Sequence, residues 1–123
     1  MIHIVDDEEA VRDFLSSAVE LIGVDVRSYT SAGSYLELMS SPDYLPPRIL
    51  VCDINMPEMI GCVLVEKIKE ISPQTLIFMI SGNLQQCTEQ CCARHRATGL
   101  IEAKMAKPFD VGEFLNLLLQ AKS

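Results

Sequence analysis

A doubly wound α/β architecture is predicted by three observations. Short apolar runs alternate along the chain with segments of helical periodicity, the mark of a parallel sheet crossed over by helices. The runs are rich in Ile, Val and Leu, as strands buried on both faces are. Four of the five end at Asp6, Asp53, Ser81 and Lys107, and ligands of such sheets bind beyond the carboxyl ends of the strands.

Ile2-His3-Ile4-Val5 reads as the first strand, ending at an acidic pair. Val11, Phe14, Leu15, Ala18, Val19 and Ile22 then recur at three- and four-residue spacing, which predicts a helix, and Gly23 suits its C′ position. Residues 24–29 alternate like a second strand, and Ser31 is placed to cap a short helix over 32–39 with Tyr35, Leu36 and Met39 inward. Past a Pro-rich loop, Ile49-Leu50-Val51-Cys52-Asp53 is the third strand. A helix carrying Val63, Leu64, Ile68 and Ile71 stops before Pro73. Residues 76–80 form the fourth strand, 84–97 a polar helix with three cysteines, and 100–106 a weaker fifth strand. Phe114, Leu115, Leu117 and Leu118 give the last helix its apolar stripe. Right-handed crossovers put helices on both sheet faces. The expected fold is flavodoxin-like, a five-stranded parallel sheet in the order 2-1-3-4-5 with five helices.

Residues 1–123 are expected to make one domain, because a chain of 123 residues buries about two thirds of its extended surface. Residues 40–47 are the one linker-like patch, too short to separate a pair of domains. Ten Lys and Arg against seventeen Asp and Glu leave a net charge of −7. Phosphate-gripping nucleic-acid contact by this chain and a polybasic membrane anchor are therefore not expected. No apolar run reaches the ~18 residues of a bilayer span. The start lacks the basic and long apolar regions of a signal peptide, and five cysteines are an odd number. Reduced thiols and a cytoplasmic protein are the expectation.

Asp6, Asp7, Asp53, Ser81 and Lys107 converge on one rim of the predicted sheet. Three carboxylates there would repel one another unless a cation lay between them. Hard oxygen donors favour Mg²⁺, which keeps waters and suits phosphoryl chemistry. A Lys supplies charge for a phosphate, Ser81 and Gly82 offer donors, and a carboxylate can act as the nucleophile.

Ile4-Val5-Asp6-Asp7-Glu8, the run from Asp53 through Met56-Pro57 to Gly61, Ile80-Ser81-Gly82 and Lys107-Pro108-Phe109-Asp110 together resemble the receiver domain of two-component response regulators. Each motif falls at its own strand end and in order, over essentially the whole chain. The resemblance implies that Asp53 is the phosphoacceptor, taking a phosphoryl group from a phosphohistidine on a sensor histidine kinase or histidine phosphotransfer protein. It implies Mg²⁺ (or Mn²⁺) held by Asp7 directly, by Asp6 mainly through water, by Asp53 and by the backbone carbonyl of Asn55. Lys107 would pair with phosphoryl oxygens, and Ser81, with Gly82, would follow the phosphate. Asn55 and Asn83 lie where the family tunes phosphate lifetime. The implied role is phosphorelay signalling rather than enzymic turnover, with only the domain's own phosphorylation and dephosphorylation catalysed. Output would belong to another chain or to a missing output domain.

Three departures bear on output. Lys104 stands where the family usually has Tyr or Phe, so it either salt-bridges a partner or leaves the switch weakly coupled. The stretch between Gly82 and Gly99 is about one helical turn longer than usual. It would alter the face of fourth helix, fifth strand and fifth helix that response regulators use for homodimerisation or docking. Ile60 precedes Gly61 where a polar residue is common.

Two other readings compete. Cys87, Cys91 and His95, four apart on one helix beside Cys92, could form a thiol or metal sensor, but one helix rarely supplies four ligands. A flavodoxin-like cofactor binder shares the fold, yet the acids after the first strand would repel a flavin phosphate. Cys52 and His3 read as packed strand residues, and Met39, Met56, Met59 and Met79 as core or turn positions.

Overall fold

The computed structural model describes residues 1–53, 61–81, 103–106 and 110–122. In chain order the elements are β1 (Ile2–Val5), α1 (Glu9–Leu21), β2 (Val26–Tyr29), α2 (Ala32–Met39), β3 (Ile49–Asp53), α3 (Gly61–Ile71), β4 (Leu76–Ser81), β5 (Ala103–Ala106) and α4 (Val111–Lys122). The five strands form one sheet in the order β2-β1-β3-β4-β5, every pair parallel. The order expected from the sequence is the order found. The polar helix expected over residues 84–97 lies outside the described residues.

Strand alternation sorts the core into two layers, since successive side chains point to opposite faces. Val5, Leu50, Cys52, Ile77 and Met79 pack with Tyr35 and Met39 of α2 and Ile68 of α3. Ile2, Ile4, Ile49, Val51, Phe78, Ile80 and Met105 pack with Leu15, Ala18 and Val19 of α1 and Phe114 and Leu118 of α4. Two described helices therefore cover each face. Burying each large apolar side chain contributes roughly 1.5–3 kcal/mol.

Local signals fix the helix ends. Gly23 has φ +73 and its N–H donates to Glu20 O, the C′ role expected for it. Ser31 Oγ accepts from Ser34 N at 3.1 Å and caps α2. Asp110 Oδ2 accepts from Glu113 N at 3.2 Å at the start of α4. Two boundaries and the burial of one residue differ from expectation. β2 begins at Val26 rather than residue 24, because the ladder with β1 starts at Ile2↔Val26. β4 runs one residue further, to Ser81, which pairs with Ala106. Phe14 is 44% exposed, since the buried stripe of α1 runs through Leu15, Ala18 and Val19 and leaves Phe14 at its edge.

Candidate phosphoacceptor site

β1 and β3 are neighbours with Val5 opposite Cys52, so Asp6, just past β1, and Asp53, the last residue of β3, stand at the same level. Both carboxylates are buried, Asp6 at 0% and Asp53 at 3% exposure. The turn after β1 is set by Asp6 itself. Its N–H donates to Tyr29 O at 3.2 Å, its Oδ1 accepts from Glu8 N at 2.8 Å, and its carbonyl accepts from Arg12 Nη1 at 2.8 Å. This local hydrogen bonding by an Asp side chain is the usual way a strand is turned into a following helix.

The turn brings Asp7 and Glu8 back over the strand ends. One carboxylate oxygen from each of Asp6, Asp7, Glu8 and Asp53 lies within 4.8 Å of the others, two of the residues buried and two exposed. Charges this close repel in the absence of a countercharge. A cluster of hard oxygen donors, open on its solvent side, fits a hard divalent cation and does not suit a soft metal. Beneath it, Cys52 is fully buried and its Sγ donates to Asp53 O at 3.4 Å. Burial and then the charges of Asp53 and Asp6 push that thiol's pKa up, which keeps it protonated and inert.

The described residues place some of the remaining rim positions and not others. Ser81 ends β4, one residue past Ile80, which pairs with Asp53. Lys104 lies in β5 opposite Met79. Asn55, Gly82, Asn83, Lys107 and the Cys87, Cys91, Cys92 and His95 group lie outside the described residues, as do Met56, Met59 and Ile60. Met39 and Met79 are core residues, as expected.

Sequence reasoning missed two features. The first is Glu8 as a fourth carboxylate and Arg12 as the residue bracing the turn; their signal was a run of four acids, Asp6 to Glu9, at a strand end with an arginine one helical turn past Glu8. The second is a buried polar chain under β1. His3 Nδ1 is hydrogen-bonded to the Tyr35 hydroxyl at 2.8 Å, and that hydroxyl to Tyr44 Oη at 2.7 Å. The Tyr29 and Tyr35 rings meet the His3 ring in T-shaped contacts, with centroids 5.4 and 5.6 Å away. Burial, then the positive charges of Arg27 and the N-terminus, lower the His3 pKa to about 4.

Comparison with known proteins agrees with this geometry. The family model for the response regulator receiver domain matches residues 2–119. Response regulator protein TmoT of Ectopseudomonas mendocina is 39% identical over 83 residues, 68% of this chain and 36% of that protein. Regulatory protein AtoC of Escherichia coli strain K12 is 30% identical over 117 residues, 95% of this chain and 24% of that one. The chain thus spans between a quarter and about a third of these relatives' lengths. A CheY-like receiver domain protein from Methanospirillum hungatei JF-1 superimposes with a TM-score of 0.82 at 24% identity, over 97% of this chain and 90% of that one. The beryllofluoride-activated DrrB receiver domain also gives 0.82, at 19% identity over 98% and 95%. With the family model spanning nearly all of it and the acidic strand ends in place, the chain belongs to the response regulator receiver domain family.

Proposed function

We propose that this chain accepts a phosphoryl group on Asp53 and signals through the resulting change in charge. The observation that carries the reading is the meeting of buried Asp53 and Asp6 with exposed Asp7 and Glu8 within 4.8 Å at the ends of β1 and β3. An Asp53 oxygen attacks phosphorus on a phosphohistidine of a sensor kinase or phosphotransfer protein. The P–O bond forms as the P–N bond breaks, and the imidazole nitrogen keeps the electron pair. Water later attacks the same phosphorus, restoring the carboxylate and releasing inorganic phosphate. A bound Mg²⁺ would neutralise charge on the phosphoryl oxygens.

Asp6, Asp7 and Asp53, with the Asn55 carbonyl, are the residues to hold that ion. Asp6 and the Arg12 contact keep the turn rigid so that Asp53 is presented without reorganisation. Lys107 would pair with the phosphoryl oxygens, Ser81 and Gly82 would follow them, and Asn55 and Asn83 would govern how long the group lasts. The added charge of about −1.5 to −2 is the input to the switch. Lys104, on β5 next to β4, stands where the family usually has an aromatic, so it either salt-bridges a partner or leaves the switch weakly coupled. The output would then lie on a partner or on an output domain outside this sequence; the chain covers 24% of the length of the relative AtoC. A cytoplasmic location follows from a phosphohistidine donor.

Incubation with acetyl phosphate and Mg²⁺ should add one phosphoryl mass to the parent protein and none to Asp53→Asn. Equal incorporation by the two would remove Asp53 from the mechanism.

A further inference from the structure

We infer that the flank formed by β2 and the loop after α2 is an interface between two copies of this chain, in which Leu45 of each copy fills a cavity of the other. β2 is the edge of the sheet. Beside it lies a cavity of about 120 Å³, with Leu45 at its margin. Tyr29, Leu38 and Tyr44 give the cavity part-buried walls, and Arg27 and Asp43 line it as exposed residues. Cavities of about 150 Å³ take up a group as large as benzene, so this one is of a size for a leucine side chain.

Leu45 is 74% exposed, yet the chain is anchored on both sides of it. Tyr44 N–H donates to Ser41 O at 3.1 Å, and the Tyr44 hydroxyl is hydrogen-bonded to that of Tyr35 at 2.7 Å. Pro46 restricts Leu45 to extended backbone, and the carbonyl of buried Pro47 accepts from Thr75 Oγ1 at 2.8 Å. An apolar side chain presented on ordered backbone binds with little further loss of entropy, as interface anchors do. Charge says which molecule brings the leucine. Arg27 and Asp43 stand on different elements at the same cavity, opposite in sign, and neither is in an ion pair with a described residue. In a two-fold interface residue i meets residue j of the partner and j meets i. One rotation therefore seats each Leu45 in the other copy's cavity and sets each Arg27 against the partner's Asp43. The face satisfies itself and closes at two copies. None of Asp6, Asp7 and Asp53 lines the cavity, so association does not depend on phosphorylation.

Sedimentation velocity on the parent protein, at concentrations up to about 1 mM, should show a monomer–dimer equilibrium. Leu45→Asp should raise the dimer dissociation constant at least about tenfold. Leu21→Asp, at a residue 79% exposed on α1 and outside the cavity lining, should change it by less than about twofold. Arg27→Asp and Asp43→Arg should each self-associate more weakly than the parent, because like charges then face each other twice. Mixed in equal amounts they should recover dimers as stable as the parent's, since every contact in the mixed dimer joins an acid to a base. Asp53→Asn should dimerise as the parent does. A parent protein that stays monomeric over this range overturns the inference. So does a dimer that Leu45→Asp leaves intact or Asp53→Asn abolishes, or a mixture no more associated than its two components.

Discussion

His3 is a base held neutral inside a sheet, and that has a measurable consequence. It is 3% exposed, bonded through Nδ1 to the Tyr35 hydroxyl, and ringed by Tyr29, Tyr35 and Tyr44 with Arg27 nearby. Its pKa drops from 6.5 in the unfolded chain to about 4 in the fold. Below 6.5 the unfolded chain binds a proton that the folded one refuses, so this contribution is complete above 6.5 and is lost as pH falls toward about 4. Denaturant midpoints should therefore fall across that window in the parent protein. His3→Gln should show a shallower fall over the same range, the remaining slope belonging to the carboxylates. Identical slopes would mean that His3 titrates as it would in water. From the sequence His3 is an ordinary strand residue. Its partners Tyr35 and Tyr44 are 32 and 41 positions away, and only the packing of α2 and the following loop onto β1 makes them neighbours.

Helix ends are where local sequence had the most authority. Gly23 takes φ +73, and a Cβ added there would meet nothing within 4 Å. The cost of Gly23→Ala is thus backbone strain alone, about 1–2 kcal/mol. Ser31→Ala should cost about 0.5–2 kcal/mol through loss of the α2 cap. Chemical denaturation of both variants measures these costs; a neutral Gly23→Ala would show that the C′ conformation is relaxed at little expense. Gly23 and Ser31 were legible because a cap is decided by a residue and the turn beside it. Strand limits were less so. Residues 24 and 25 alternate as a strand would, yet they precede the first ladder pair, Ile2↔Val26, and pairing depends on where the partner strand begins. Phe14 shows the same limit in a helix, since three- and four-residue spacing defines a stripe whose edges only packing assigns.

Assembly of the sheet brings carboxylates from separate strands together at one edge. Asp6 and Asp53 are buried at the ends of adjacent strands, and Asp7 and Glu8 sit over them. In cation-free buffer Asp53→Asn should be more stable than the parent protein by about 1–2 kcal/mol, because one like charge is removed. Adding Mg²⁺ should raise the parent's melting midpoint by mass action and raise that of the variant less. Equal midpoints without cation would show that the cluster carries no net repulsion. The types of the described elements, the sheet order and the family were legible in the chain, the first from periodicity within short runs and the other two from motifs that fall in order at successive strand ends. Only the tertiary structure decided that Glu8 joins Asp6, Asp7 and Asp53, that Arg12 braces their turn and that His3 is held neutral among tyrosines. Those relations are set by the register of β1 against β2 and β3 and by which helix covers which face, and distances between residues far apart in the chain come into being only when the sheet is assembled.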